Sequence, residues 1–378
     1  EFKNFYGGIV LQAYLPDSHL WQVKLTDWAR TRVQNGGKPV KMRLVKGANM
    51  EMVETESALR HWAVCPYSKK IDTDSNYKRM ARYALTKENA PYVNMGAASH
   101  NLFELAYAHE MAKANDVLEY FSFEMLEGMS ESARLAIKEI SGEVILYGPT
   151  AKKEQFTNAI AYLVRRLDEN TGIENFIRYS FGLKTGTPEW ESQKEKFLAS
   201  IDNEPKAFVG AHRTQNRLEE HWDDYEGGTC FTMTYNGEAD TDFVLPPNKK
   251  WAKDIRAKWM KTKESELITV PVVVGAEDLV KDRVVTEVTD KSQLKEAIIC
   301  GKFAQATADD LARAVEVAAT DPDGWRKLTH AQRHEALCKV ANVVRKRRGD
   351  LIGVAAAEVG KVFTETDVEV SEAIDFLE

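Results

Sequence analysis

YVNMGAASHNLFELAYAHEMAKANDVLEYFSFEML, residues 92–126, changes period twice, and those changes decide the fold. Residues 92–97 are a short apolar run that reads as a strand. Residues 101–114 space their apolar side chains as one face of a helix, and 121–126 return to a short strand. Strand, helix and strand in so few residues make a βαβ unit, which joins two parallel strands by a right-handed crossover.

The same alternation extends in both directions. Upstream, GGIVLQAYL (7–15) and VKMRLVKG (40–47) read as strands, with helices over 19–37, over 54–62 and after the DTD of 72–74. Downstream come a helix over 131–140, the strand EVILYG (143–148), and a helix in which Phe156, Ile160, Leu163, Val164 and Leu167 form one apolar stripe expected to be buried. The result is five β/α units in series. Repeated units of this kind build either an open doubly wound sheet or a closed barrel. The GxGxxG turn of a dinucleotide-binding sheet is absent, so the expectation is a TIM-like β/α barrel represented by its C-terminal five units, with three earlier units lying outside this chain.

Residues 182–240 are rich in Gly, Pro and charge and read as a linker wrapping the first domain, which spans 1–181. From 241 to 378 a second pattern appears: extended TVPVVVG (269–275), then helices near 292–300, 307–319, 322–347 and 364–378. The last helix is still apolar at its end, so this domain is expected to be incomplete as well. RKRRGD (345–350) reads as a solvated helix end, where cations suit the macrodipole.

Composition narrows the function. A net charge of −7 disfavours a nucleic-acid binder. No run of about 18 apolar residues predicts a membrane span, and a cytoplasmic protein is expected. Cys65, Cys230, Cys300 and Cys338 are far apart, with no spacing that suggests zinc or a disulfide framework, and they read as reduced, mostly buried thiols. No metal site is expected.

In a β/α barrel the chemistry sits at the C-terminal ends of the strands. There this sequence places Gln12, Arg43, Lys46, Ser99, His100, Asn101, Glu124 and Tyr147, and the following helix carries the adjacent pair Arg165 and Arg166. A cation in a buried strand is costly without an anionic partner. Arg43 and Lys46 fit either ion pairs with neighbouring carboxylates or an anionic ligand, and His100 also fits a cap-side role at its helix start.

In order along the chain, IVLQAYL, MRLVKGANME, TDSNYKRM, ASHNLFELAYA, FEMLEGM, ILYGP and YLVRRLDENTGIENF resemble the proline dehydrogenase barrel of the proline utilisation A family. EADTDFVLPPN, VPVVVG, DPDGWR and the terminal RRGDLIGVAAAEVGKVFTETDVEVSEAIDFLE are similar to the start of the aldehyde dehydrogenase domain that follows it in those bifunctional enzymes. The resemblance implies a non-covalent FAD and oxidation of L-proline to pyrroline-5-carboxylate. It places Gln12, Arg43, Lys46, Ala48, His100, Asn101 and Phe176 at flavin-contact positions. Tyr147, Arg165, Arg166 and Glu169 fall around the substrate, with Leu126 as an apolar ring contact. Two planar guanidinium groups suit the grip of a small carboxylate.

For the parent protein the resemblance further implies NAD-dependent oxidation of glutamate semialdehyde to glutamate, a homo-oligomer, and a quinone or other electron acceptor. Peripheral contact with a membrane is left open. The sequence departs from the family at Asn49, where an aromatic often follows KGA, and it carries no aldehyde dehydrogenase nucleophile or NAD turn. Two rival readings remain: a phosphate-binding barrel lyase or isomerase, and a non-catalytic helical scaffold.

Overall fold

The computed structural model describes residues 2–180, 182–221, 237–262, 266–295 and 297–378, the side chains of Glu169 and Asn170 excepted. The chain divides into two compact units. One comprises residues 1–55 and 63–213, the other residues 56–62 and 214–378.

The first unit alternates β1 (Gly8–Gln12), α1 (Ser18–Gln34), β2 (Val40–Val45), α2 (Met50–Leu59), α3 (Lys70–Ala84), β3 (Val93–Ala98), α4 (Leu102–Ala114), β4 (Phe121–Leu126), α5 (Glu131–Ser141), β5 (Ile145–Tyr147), α6 (Phe156–Thr171), α7 (Ile177–Ser180) and α8 (Pro188–Asn203). The later part of α2, from residue 56, falls in the second unit. The strands form one sheet in the order β1-β2-β3-β4-β5, and every neighbouring pair is parallel. α3 starts at Lys70 and takes in the DTD that was expected to precede it.

The pleat gives the sheet two different faces. Val40, Met42 and Leu44 of β2, Met95 and Ala97 of β3, and Phe123 and Met125 of β4 join Tyr77, Met80, Leu105 and Ala108 of the helices in one buried core. The alternate residues, Lys41, Arg43, Asn94, Gly96, Ser122 and Glu124, lie on the opposite, polar face. α8 closes against α3 inside the stretch read as a linker: Ser75 Oγ donates to Ser200 O at 2.8 Å, and Asn203 Nδ2 donates to Asp72 Oδ1 at 2.8 Å.

The apolar stripe of α6 is a correction. Phe156, Ile160, Leu163, Val164 and Leu167 are all exposed, from 45% to 65%. Among the described residues the sheet stops at β5, so no further strand lies beneath that face. Ile9 and Val10 of β1, and Ile145 and Leu146 of β5, are likewise exposed.

The second unit holds α9 (Pro246–Trp259), β6 (Thr269–Val270), β7 (Val272–Val274), β8 (Glu277–Leu279), β9 (Val285–Thr289), β10 (Ile299–Ala304), α10 (Ala308–Thr320), α11 (His330–Val359) and α12 (Phe363–Leu377). β6-β10-β9 make one small sheet and β7-β8 another. Among the described residues the helix expected near 292–300 is absent. Ser292 and Gln293 instead bond the Asp290 carboxylate in a turn, and the chain then enters β10. α10 and α11 each begin with a reciprocal capping box, Thr307 with Asp310 and Thr329 with Gln332, so the second long helix starts after 322.

RKRRGD does not end that helix, which continues to Val359. Arg345 and Arg348 are buried: Arg345 Nε pairs with Glu238 Oε2 at 2.9 Å, and Arg348 Nη2 donates to Ser371 Oγ at 2.6 Å. Gly349 is a packing glycine, because a Cβ there would lie 3.2 Å from Ile255 of α9. Cys65, Cys300 and Cys338 carry no disulfide, and Cys230 lies outside the described residues.

Candidate functional site

The C-terminal ends of the five strands open into a cleft of about 390 Å³ in the first unit. That is within the range of small-molecule sites. Gln12, Arg43, Lys46, Ala48, His100, Asn101 and Phe176 all line it, together with Leu126, Tyr147 and Arg166. Arg165 does not line the cleft. Its Nη1 instead donates to Asn49 Oδ1 at 3.4 Å, and Asn49 is itself a wall residue. The side chain of Glu169 lies outside the described residues, although its backbone belongs to α6.

β3 is followed by Ser99, His100 and Asn101, and these three turn the chain into α4. Asn101 is the cap: its Oδ1 accepts from Phe103 N at 3.0 Å, and its own N donates to Ser99 Oγ at 3.0 Å. That releases His100 to face the cleft. His100 Nε2 accepts from Leu126 N at 3.1 Å, so the ring proton is assigned to Nδ1. That nitrogen is buried and has no partner among the described residues. Burial, then the charges of Arg166 and Arg43, push the His100 pKa down to about 4, so the ring is neutral at physiological pH.

Lys46 follows β2 and stands over a buried ionic network. Its Nζ lies 2.6 Å from Asp74 Oδ1 and 3.1 Å from Glu104 Oε1. Lys70, another wall residue, reaches Asp74 Oδ2 at 2.6 Å, and the fully buried Lys78 meets Glu104 Oε1 at 2.7 Å. Burial opposes charge on Lys46, but Asp74 and Glu104 outweigh it and hold the ammonium above the ordinary lysine range. Burial likewise opposes charge on Asp74, yet Lys46 and Lys70 bring its pKa down to about 2. The three lysines and two carboxylates leave one net positive charge beside the cleft. Lys46 therefore has the carboxylate partners that its sequence position allowed, and it is also a wall residue.

Two aromatic rings hold the arginines. The Arg43 guanidinium carbon lies 4.6 Å from the Tyr147 ring centre, and that of Arg166 lies 4.6 Å from Tyr162. Tyr162 Oη donates to Tyr147 O at 3.4 Å, tying α6 to the end of β5. Sequence reasoning missed Tyr162, whose signal was its spacing four residues before Arg166 on one helix. Asp74, Glu104 and Lys70 were also missed; nothing local marks those carboxylates as buried.

These wall groups suit a flavin dinucleotide. The excess of cations matches a diphosphate, and the lone Nδ1–H of His100 offers a donor to a ring acceptor. Among the described residues no three His, Cys, Asp or Glu side chains converge as a metal would require, and no helix is long and apolar enough to cross a membrane.

Fold and cleft together define the first unit as a parallel α/β unit with a small-molecule cleft at the ends of its strands. Residues 1–179 match the proline dehydrogenase family model, and residues 283–378 match that of the aldehyde dehydrogenase family. The bifunctional protein PutA of Escherichia coli is 26% identical across 98% of this chain, which covers 27% of that relative. A 1-pyrroline-5-carboxylate dehydrogenase of Staphylococcus epidermidis is 28% identical over 147 residues, 39% of this chain and 27% of the relative. Among solved structures, proline utilisation A of Corynebacterium freiburgense aligns over 100% of this chain and 31% of its own, with 30% identity and a TM-score of 0.69. The Bdellovibrio bacteriovorus protein inactivated by N-propargylglycine aligns over 100% of this chain and 36% of its own, with 28% identity and a TM-score of 0.77. The chain is thus similar over its whole length to proline utilisation A proteins, and it spans from 27% to 36% of the length of these relatives.

Proposed function

We propose that the first unit oxidises L-proline to pyrroline-5-carboxylate with a non-covalent FAD. In the complete polypeptide, the aldehyde dehydrogenase part then oxidises glutamate semialdehyde to glutamate with NAD. The observation that carries this reading is the convergence of Arg43, Lys46, His100 and Arg166 on one cleft at the strand ends of a proline dehydrogenase-family sheet. In this reading the sheet is the C-terminal five units of a β/α barrel over 1–181. Residues 182–240 connect it to the beginning of the second enzyme at 241–378.

Gln12, Arg43, Lys46, Ala48, His100, Asn101 and Phe176 would hold the flavin, which supplies the hydride acceptor when bound. His100 donates from Nδ1, since its Nε2 is engaged by Leu126 N. Arg166, carried by Tyr162, would grip the proline carboxylate, and Arg165, which meets Asn49 in this structure, would leave that partner to complete a planar fork, with Glu169 orienting it. Tyr147 and Leu126 close against the aliphatic ring and exclude water. The chain's contribution is alignment of the substrate carbon with the acceptor, which can be worth many powers of ten in rate. The electron acceptor, a quinone or another carrier, regenerates the oxidised cofactor. The assembly is a cytoplasmic homo-oligomer in contact with proline and not with nucleic acid.

The test is the visible spectrum of the full-length protein without oxygen, before and after L-proline. A flavin band that bleaches with proline, and fails to bleach when Arg165 and Arg166 are both changed to Met, is the expected result. A colourless protein that takes up no added FAD would refute the reading.

A further inference from the structure

β2 and β4 are not neighbours, because β3 lies between them. Their side chains nevertheless meet on the polar face of the sheet. Arg43 Nε is 3.5 Å from Glu124 Oε2, and Lys41 Nζ is 3.5 Å from Glu124 Oε1. Gly96 permits the crossing. It is the register partner of Arg43 on β3, and a Cβ there would lie 2.0 Å from Glu124 Oε1. Any side chain at that position would occupy the seat of the carboxylate.

Glu124 is only 4% exposed, and it shares the cleft wall with Arg43. A carboxylate so deeply buried needs partners at close range, and these two cations supply them. The other side of Arg43 rests on the Tyr147 ring, and Lys41 also donates to Ser122 Oγ at 2.5 Å. Arg43 is therefore clamped between a buried carboxylate and an aromatic face. The backbone pairs the strands without this carboxylate, so its place in the cleft wall calls for another explanation.

We propose that Glu124 is a positioning residue: it fixes Arg43 against Tyr147 and sets the net charge that this wall presents to a bound flavin. The inference rests on the flavin reading above. Lys41 and Arg43 against one carboxylate leave a single positive charge; Glu124→Gln leaves two. An added positive charge in a poorly solvated wall favours the more negative, reduced flavin.

The test is the flavin midpoint potential, measured by dye equilibration on the full-length, flavin-loaded protein for wild type, Glu124→Gln, Glu124→Asp and Gly96→Ala. Glu124→Gln moves the two-electron equilibrium about tenfold toward the reduced form, roughly 30 mV upward. Glu124→Asp keeps the charge and restores most of the wild-type value. Gly96→Ala keeps every charge but displaces the carboxylate, and gives a smaller shift in the same direction. An unmoved potential in Glu124→Gln, or a Glu124→Asp shift equal to it, overturns the inference. If Glu124→Gln fails to hold flavin, Gly96→Ala decides by the same measurement, and an unmoved value overturns the inference. A wild-type protein that takes up no flavin defeats the proline dehydrogenase reading and this inference with it. Loaded wild type with unmoved variants defeats this inference alone.

Discussion

Replacing Glu104 by Gln tests whether the buried network beneath Lys46 is as consequential as its geometry implies. One carboxylate oxygen of Glu104 serves two ammonium groups, Lys78 at 2.7 Å and Lys46 at 3.1 Å. Lys78 is 0% exposed and Glu104 is 1% exposed. Beyond Glu104, Lys78 meets the Ser200 hydroxyl at 2.8 Å and the Phe197 ring, whose centre lies 4.4 Å from its Nζ. The amide variant keeps the shape and removes the charge, so the cluster goes from one net positive charge to two. Removing one member of a buried ion pair costs about 3–5 kcal/mol. A Coulomb estimate agrees, at about 4 kcal/mol for unit charges roughly 4 Å apart at an effective dielectric near 20.

That loss is a large fraction of the roughly 5–15 kcal/mol that stabilises a typical domain. The assay is urea unfolding followed by tryptophan fluorescence, to which Trp190 contributes from α8, its ring 4.8 Å from Phe103 of α4. The expected midpoint falls steeply in Glu104→Gln. It recovers most of the way in the double variant Lys78→Met with Glu104→Leu, because no charge is then stranded by the change. A Glu104→Gln protein within about 1 kcal/mol of wild type, or a double variant weaker than the single one, would refute the reasoning.

Two further outcomes follow from the cleft. The folded His100 pKa of about 4 lies below its ordinary value of 6.5, so the unfolded chain takes up the proton first. Its stabilising contribution, on the order of 3 kcal/mol, is complete above about pH 6.5 and is lost as pH falls through about 4. Urea midpoints between pH 4 and 7.5 should show that limb in wild type and lose it in His100→Gln. At the rim, Tyr162→Leu removes the ring beneath Arg166, an interaction worth about 1 kcal/mol, and should raise the KM for proline roughly fivefold with a smaller effect on kcat. Tyr162→Phe keeps the ring and should stay near wild type; equal behaviour of the two variants excludes the ring contact.

Much of the first unit was legible because strand and helix periods are local. The strands over 40–47, 92–97 and 121–126 lie within a residue or two of β2, β3 and β4, and the residues expected at their C-terminal ends line one cleft. Arg165 is the departure, since it reaches Asn49 rather than the cleft wall. Amphipathic pattern failed where burial depends on a distant partner. The stripe of α6 has the spacing of a buried face and is exposed, while Arg345 and Arg348 of RKRRGD sit in a stretch with the composition of a solvated end and are buried. The helix end read at RKRRGD is likewise the middle of α11, where Gly349 serves as a close contact for Ile255.

The sequence by itself determined the order of the β/α units, the resemblance to a family, and which residue types arrive at the strand ends. Each follows from periodicity or from contiguous motifs. Only the tertiary structure decided how those residues are paired. Lys46 meets carboxylates from two different helices, Asp74 of α3 and Glu104 of α4. Glu124 reaches Arg43 across the bare backbone of Gly96, and Leu126 N fixes which nitrogen of His100 carries the proton. The energies of such contacts depend on distance and burial between residues far apart in the chain, and no local pattern encodes either quantity.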